Sequence, residues 1–211
     1  MAIGREVLDF YVTLAKEKIL HSGQSICELG AQELGDTAGY DTSALCTIFN
    51  RQSIPLTGSS LDFMSTLGFV NYTSIDMSAQ WGALRFDLNT VKHPHLGYKT
   101  FDVVTNLGTI EHVFNTANCF QLMHELTAVG GVMLHVGPVG SRQPGWDEHG
   151  FYLLSHNLFR DLARANKYDV LCQYSVEHRD GSLFFAALKR TNSGAFVTPI
   201  QTGLGYSGYF E

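Results

Sequence analysis

The chain has 211 residues, 45% hydrophobic and 16% charged, which fits one soluble globular domain large enough for a sizeable core. Its formal net charge of −6, with no Lys/Arg run, argues against a nucleic-acid partner, whose phosphates need a basic face. No signal peptide is expected from the residues given, no apolar run reaches membrane-spanning length, and Cys27, Cys46, Cys119 and Cys172 lie apart without a CxxC pair; a cytoplasmic protein with reduced cysteines and no membrane partner is expected.

In chain order, the first predicted element is a helix over 5–20, with Leu8, Tyr11, Val12, Ala15 and Ile19 at helical spacing. "SICELGA" (25–31) reads as a buried strand running into a turn at Gly30. Residues 34–69 hold helix-like pieces at 43–50 and 59–67, broken by Pro55 and Gly58. "VNYTSIDM" (70–77) and "ALRFDL" (83–88) read as strands, each meeting an aspartate near its C-terminal end, and "FDVVTNL" (101–107) as another. A helix over 118–126 puts Cys119, Phe120, Met123 and Leu126 on one face. "GGVMLHVGPV" (130–139) is a strand entered through a glycine pair and closed by Pro138, and 157–168 is again helical. "VLCQYSV" and "LFFAALK" form a hairpin around Asp180-Gly181. The tail 191–211, rich in Gly, Ser, Thr and aromatics, is expected to be partly extended or loose. This divides the chain into an N-terminal helix (1–24), an α/β domain (25–190) with an extra helical segment at 34–69, and the tail (191–211).

Alternating strands and helices imply a doubly wound, mostly parallel sheet with helices on both faces and an antiparallel hairpin at its edge. Such sheets bind ligands beyond the carboxyl ends of their strands, where strand order reverses. Glu28 and Gly30, Asp76, Asp87, Asn106 to His112, and the loop after Pro138 should therefore converge. Each has two readings. Glu28-Leu29-Gly30 is a turn whose backbone faces a polar ligand, or a strand end with a buried capping acid. Asp76 can accept both hydroxyls of a ribose, and Asp87-Leu88 an exocyclic amine above an apolar floor; either aspartate can equally be a turn or cap residue. The first turn is not GxGxxG, since Gln32 and Glu33 stand where a dinucleotide fold wants glycines, and this disfavours a nicotinamide-dependent oxidoreductase.

The order "CELGA", "YTSIDM", "RFDLN", "FDVVTNLGTIEHV", "LTAVGGVMLHVGP", "HGFYLLSHNLFRDLARANKYDV" resembles a class I S-adenosylmethionine-dependent methyltransferase over roughly residues 25–190. The resemblance implies a seven-stranded Rossmann-like sheet with S-adenosyl-L-methionine as cofactor. It implies that Glu28 and Gly30 meet the methionine part, Asp76 the ribose, and Asp87 and Leu88 the adenine. Asn106 and Leu107 would line the sulfonium side, and Ala31, Met77 and Gly108 would also bind the cofactor. The chain departs from the family in keeping only Gly30 of its usual two or three glycines, and in the length of 34–69.

A base is needed only where the acceptor must lose a proton, and His112 and His149 are its candidates, with Tyr152 to orient a hydroxyl; a structural hydrogen bond is the other role open to each. Six of nine histidines fall between His93 and His149, but His93-Pro94-His95 cannot share a helix face and no pair has metalloprotease spacing, so no metal site is expected. Trp146, Phe151 and Tyr152 can stack on a sugar or planar ring. The expected function is methyl transfer by in-line displacement to a small-molecule or glycan-like acceptor, in a chain able to form a homo-oligomer. The competing expectation is a catalytically inactive methyltransferase-like binding or scaffold protein.

Overall fold

A computed structural model describes residues 2–90, 99–139, 149–178 and 181–200. The chain opens with a short strand β1 (Ala2–Ile3) and helix α1 (Arg5–Lys16). Then come β2 (Ser25–Leu29), the short β3 (Glu33–Leu34), α2 (Ser43–Ile48), α3 (Ser60–Leu67) and β4 (Val70–Asp76). After these follow β5 (Leu84–Arg85), β6 (Phe101–Leu107), α4 (Thr116–Leu126), β7 (Thr127–Val139), α5 (His156–Asn166), β8 (Asp169–His178) and β9 (Gly181–Lys189).

Seven strands form one sheet in the order β5-β4-β2-β6-β7-β9-β8, with β1 and β3 pairing separately. The pairs from β5 to β7 are parallel, while β9 runs antiparallel to both β7 and β8. The expected doubly wound, mostly parallel sheet with an antiparallel hairpin is what the chain builds. From β2 it moves outward to β4 and β5, then returns to lay β6 on the other side of β2. Strand order thus reverses between β2 and β6.

Alternation along the strands distributes side chains to two cores. Ile26, Val103, Leu134 and Phe185 face α1, α2 and α3, which contribute Leu8, Phe10, Leu45 and Phe63. Cys27, Val104, Met133 and Phe184 face α4 and α5, which contribute Cys119, Met123, Phe159 and Leu162. The four cysteines are unpaired, as their spacing implied. α3 is the crossover between β2 and β4: the Ser59 hydroxyl accepts from Asp62 N at its N-terminus, and Gly68 closes it at φ +89°. The chain leaves the sheet after Leu29, loops through α2 and comes back to the same place, where Ser60 N donates to Gln32 O at 3.0 Å.

The elements differ from expectation in several places: α1 ends at Lys16 and not at residue 20, and β1 and β3 are additional short strands. β5 keeps only Leu84 and Arg85 of the expected 83–88, because Phe86 to Asn89 turn off into a loop tied back by Phe86 N to Asp76 O. β7 starts at Thr127, directly after α4 and three residues before the expected glycine pair, and ends at Val139 as expected. The ladder to β6 ends at Val136, so at Pro138 the strand has a neighbour only on the β9 side and a missing N–H costs no ladder bond. Residues 191–200 of the tail have no regular structure but dock on α4 and α5, with Val197 N donating to Asn166 Oδ1 and His124 Nε2 within 2.9 Å of Gly194 O. His93, His95, Trp146, Asp180 and residues 201–211 lie outside the described residues. Among the described residues no helix is long and apolar enough to cross a membrane.

Candidate active site

The reversal between β2 and β6 opens a cleft of about 270 Å³ at the carboxyl ends of the strands. Gly30, Ala31, Gln32, Asp76, Met77, Asp87, Leu88, Gly108 and His112 are among its walls. Residues from four strand ends, separated by up to 82 positions, therefore meet as the sequence pattern anticipated.

Gly30 makes the first turn at φ +96°, where an added Cβ would collide with Thr109 Oγ1. Asp76 ends β4 and serves as the hinge of the cleft. Its Oδ2 accepts from Ala31 N at 3.0 Å, and its Oδ1 accepts from the amide and hydroxyl of Ser78 at 2.6 Å each. Partial burial works against ionisation here, but these donors outweigh it and hold the carboxyl below its usual range. Asp87 Oδ1 accepts from the backbone and side-chain nitrogens of Asn89, which also keep it ionised. The loop is fastened to α4: Asn118 Nδ2 donates to Leu88 O at 2.8 Å, and Asn115 N to Asn89 Oδ1 at 2.9 Å.

Three expected cofactor residues stand behind the wall. Glu28, on the α1–α3 face of β2, is fully buried and accepts from Tyr72 OH at 2.5 Å; burial raises its pKa to about 7, more than that hydrogen bond lowers it. Asn106 Oδ1 accepts from Thr109 N and Ile110 N, so its amide builds the turn after β6. Leu107 is buried in the core. Gln32, noted in the sequence only as a missing glycine, folds across the turn: its Nε2 donates to Thr109 Oγ1 at 3.2 Å, and that hydroxyl donates on to Leu29 O at 2.7 Å.

At the other rim, a 3-10 turn over Ile110–His112 buries Glu111 completely and exposes His112. Phe151 N and Tyr152 N both donate to Glu111 O, which brings His149 and Tyr152 beside the turn. The His112 and His149 ring centroids are 4.8 Å apart, and His149 Nε2 is 3.9 Å from Glu111 Oε1. Burial, then the neighbouring His149, lowers the His112 pKa, while burial lifts that of Glu111 to about 7. Tyr152 OH donates to Phe114 O at 3.0 Å, and Phe114 packs edge-on against Phe151 at 5.8 Å, leaving two largely exposed rings on the rim. Of the three candidate catalytic side chains only His112 lines the cleft; His149 and Tyr152 flank it. Glu111 is the residue that pattern reading placed without a definite role, and no spacing pairs it with His149, because the pairing is made by the backbone of 151 and 152.

Neither models of known protein families nor curated proteins match the sequence. Solved structures do match the fold. The N-methyltransferase NodS from Bradyrhizobium japonicum aligns over 89% of this chain and 95% of its own, with TM-score 0.52 and 12% identity. The 1,6-didemethyltoxoflavin-N1-methyltransferase of Burkholderia thailandensis, solved with S-adenosylhomocysteine, aligns over 86% of this chain and 76% of its own, with TM-score 0.53 and 16% identity. The [4+2]-cyclase SpnF aligns equally well, over 89% of this chain and 83% of its own, with TM-score 0.52 and 11% identity, so the same sheet hosts other chemistry. With its strand order, its reversed edge hairpin and these neighbours, the chain has the seven-stranded fold of the class I S-adenosylmethionine-dependent methyltransferases.

Proposed function

We propose that the chain binds S-adenosyl-L-methionine in the cleft and transfers its methyl group in line to a small-molecule acceptor. The observation that carries this reading is the pair of ionised aspartates at adjacent strand ends, Asp76 and Asp87, with the Gly30 turn between them and the sheet's switch point. Ser78 and Ala31 occupy three of the roughly four acceptor positions of Asp76, which leaves Oδ2 able to take a ribose hydroxyl. Asn89 uses only Oδ1 of Asp87, so Oδ2 can accept from an exocyclic amine, with Leu88 as the apolar floor. Gly108, opposite Gly30, lets the second backbone turn approach the ligand at φ +74°.

The cofactor supplies a methyl group already activated on a sulfonium. The chain has then to orient an acceptor, exclude water and provide for any proton the acceptor must lose. His112, at the junction of cleft and rim, lies where an acceptor heteroatom would stand. Phe114, Phe151 and Tyr152 offer an aromatic wall for a planar ring or the apolar face of a sugar. Two structural neighbours are an N-methyltransferase and an N1-methyltransferase holding 1,6-didemethyltoxoflavin, and a small acceptor is in keeping with them.

One observation favours the second reading, a scaffold without turnover. Gln32 spans the first turn where a glycine would leave space, and its side chain is 2% exposed. Transfer of labelled methyl from S-adenosyl-L-methionine into fractionated small molecules of a cell extract separates the two. Label appearing with wild type and absent with Asp76→Ala supports the enzyme. Cofactor binding without transfer into any fraction supports the scaffold.

A further inference from the structure

The rim holds a donor set with no work in cofactor binding. Glu111 is fully buried, and among the described residues neither carboxylate oxygen accepts a hydrogen bond. A buried carboxylate left so is costly unless a proton or a cation compensates it. Its nearest ion-pairing group, His149 Nε2 at 3.9 Å, stands beyond hydrogen-bond distance. One ligand atom each from Glu111, His112 and His149 can be chosen so that all three lie within 4.8 Å of one another.

We propose that Glu111, His112 and His149 form a binding site for one divalent first-row transition cation. The local backbone is built to bring these groups together. A Cβ at Gly150 would come within 2.8 Å of Glu111 O and 3.2 Å of His112 Nδ1, so glycine alone lets the 149–152 segment pass this close. Gly137 borders the other side of the carboxylate, where an added Cβ would lie 3.7 Å from Glu111 Oε2. Around an ion with bonds of about 2.1 Å, neighbouring ligand atoms stand roughly 3.0–3.4 Å apart, so the set has to contract by about 1–2 Å. Closing that gap falls to side-chain rotation of the half-buried His149 and the exposed His112 towards the buried carboxylate. Two imidazoles with one carboxylate suit Zn²⁺ or Mn²⁺ better than Mg²⁺ or Ca²⁺, which prefer oxygen alone. Three protein ligands leave positions for water or, resting on the methyltransferase reading, for an acceptor oxygen whose hydroxyl the cation would make more acidic.

The test uses the full chain, free of any histidine tag and dialysed against chelator, titrated calorimetrically with ZnCl₂, MnCl₂ and MgCl₂. One Zn²⁺ or Mn²⁺ per chain is expected, bound more tightly than Mg²⁺. His149→Ala and Glu111→Gln should each weaken it by at least about 10-fold, since loss of even an outer-shell partner costs about that much. Circular dichroism and thermal melting check that the variants fold; should the buried Glu111→Gln fail to, His149→Ala carries the test. No transition-cation binding, or equal binding in wild type and His149→Ala, overturns the proposal. Because the readout needs no cofactor, a chain that binds Zn²⁺ but not S-adenosyl-L-methionine supports the cation site and rejects only the methyltransferase reading.

Discussion

The carboxylates around the switch point fall into two groups. At the cleft surface, Asp76 accepts from amide and hydroxyl donors and Asp87 from the two nitrogens of Asn89, and both are held below the usual carboxylate range. Glu28 and Glu111, one layer deeper, have few or no donors, and burial carries each to a pKa of about 7. Distance between the two kinds is short, yet donor supply decides the charge. Where hydrogen bonds outnumber the cost of burial the acid is a fixed anion fit to hold hydroxyls and amines; where burial wins, the acid is neutral or in need of a counter-charge.

The largest effect should come from filling the turn that separates the groups. Gly30→Val forces a β-branched residue to φ +96° against Thr109, at a cost of about 3 kcal/mol or more of strain and overpacking. Urea unfolding should show the loss, and cofactor binding should disappear.

Glu28 tests the buried half. Its folded pKa of about 7 exceeds the ordinary 4.5, so the folded state holds the proton more tightly. Its contribution to stability is complete below about pH 4.5 and is lost as pH rises to about 7, on the order of 3 kcal/mol in all. Glu28→Gln, which keeps a partner for Tyr72, should remove that decline. Unfolding curves at pH 5 and pH 8 should therefore show the variant gaining on wild type at the higher pH; a constant gap would contradict the buried-acid assignment. The surface aspartates act in the opposite sense, stabilising above their ordinary range and losing that support only in acid.

Asp76→Ala should weaken S-adenosylhomocysteine by roughly 10- to 100-fold, the value of a hydrogen bond to a charged group, with Asp87→Ala costing less because its site is more open. The smallest change is Gln32→Gly. If the amide only obstructs the turn, affinity should rise by a few-fold; a fall would make Gln32 itself a cofactor contact.

Much of this was readable in the sequence because it depends on local periodicity. The strand over Phe101–Leu107 and the edge hairpin follow from apolar runs, and the clustering of Gly30, Asp76, Asp87 and Gly108 follows from their shared place at strand ends. What escaped depends on contacts distant in sequence. Asn106 reads as a ligand residue, but two amides of its own turn claim it. Glu28 follows strand alternation to the far face, where Tyr72 from β4 waits. The meeting of Glu111 with His149 is set by two backbone hydrogen bonds across a gap of about 40 residues, which no spacing rule encodes.

Calorimetric titration of the intact chain with S-adenosyl-L-methionine and S-adenosylhomocysteine tests the central claim most directly. Saturable binding of both at one site per chain, lost or strongly weakened in Asp76→Ala, is the predicted result. No heat with either ligand, or binding of equal strength in Asp76→Ala, would contradict it.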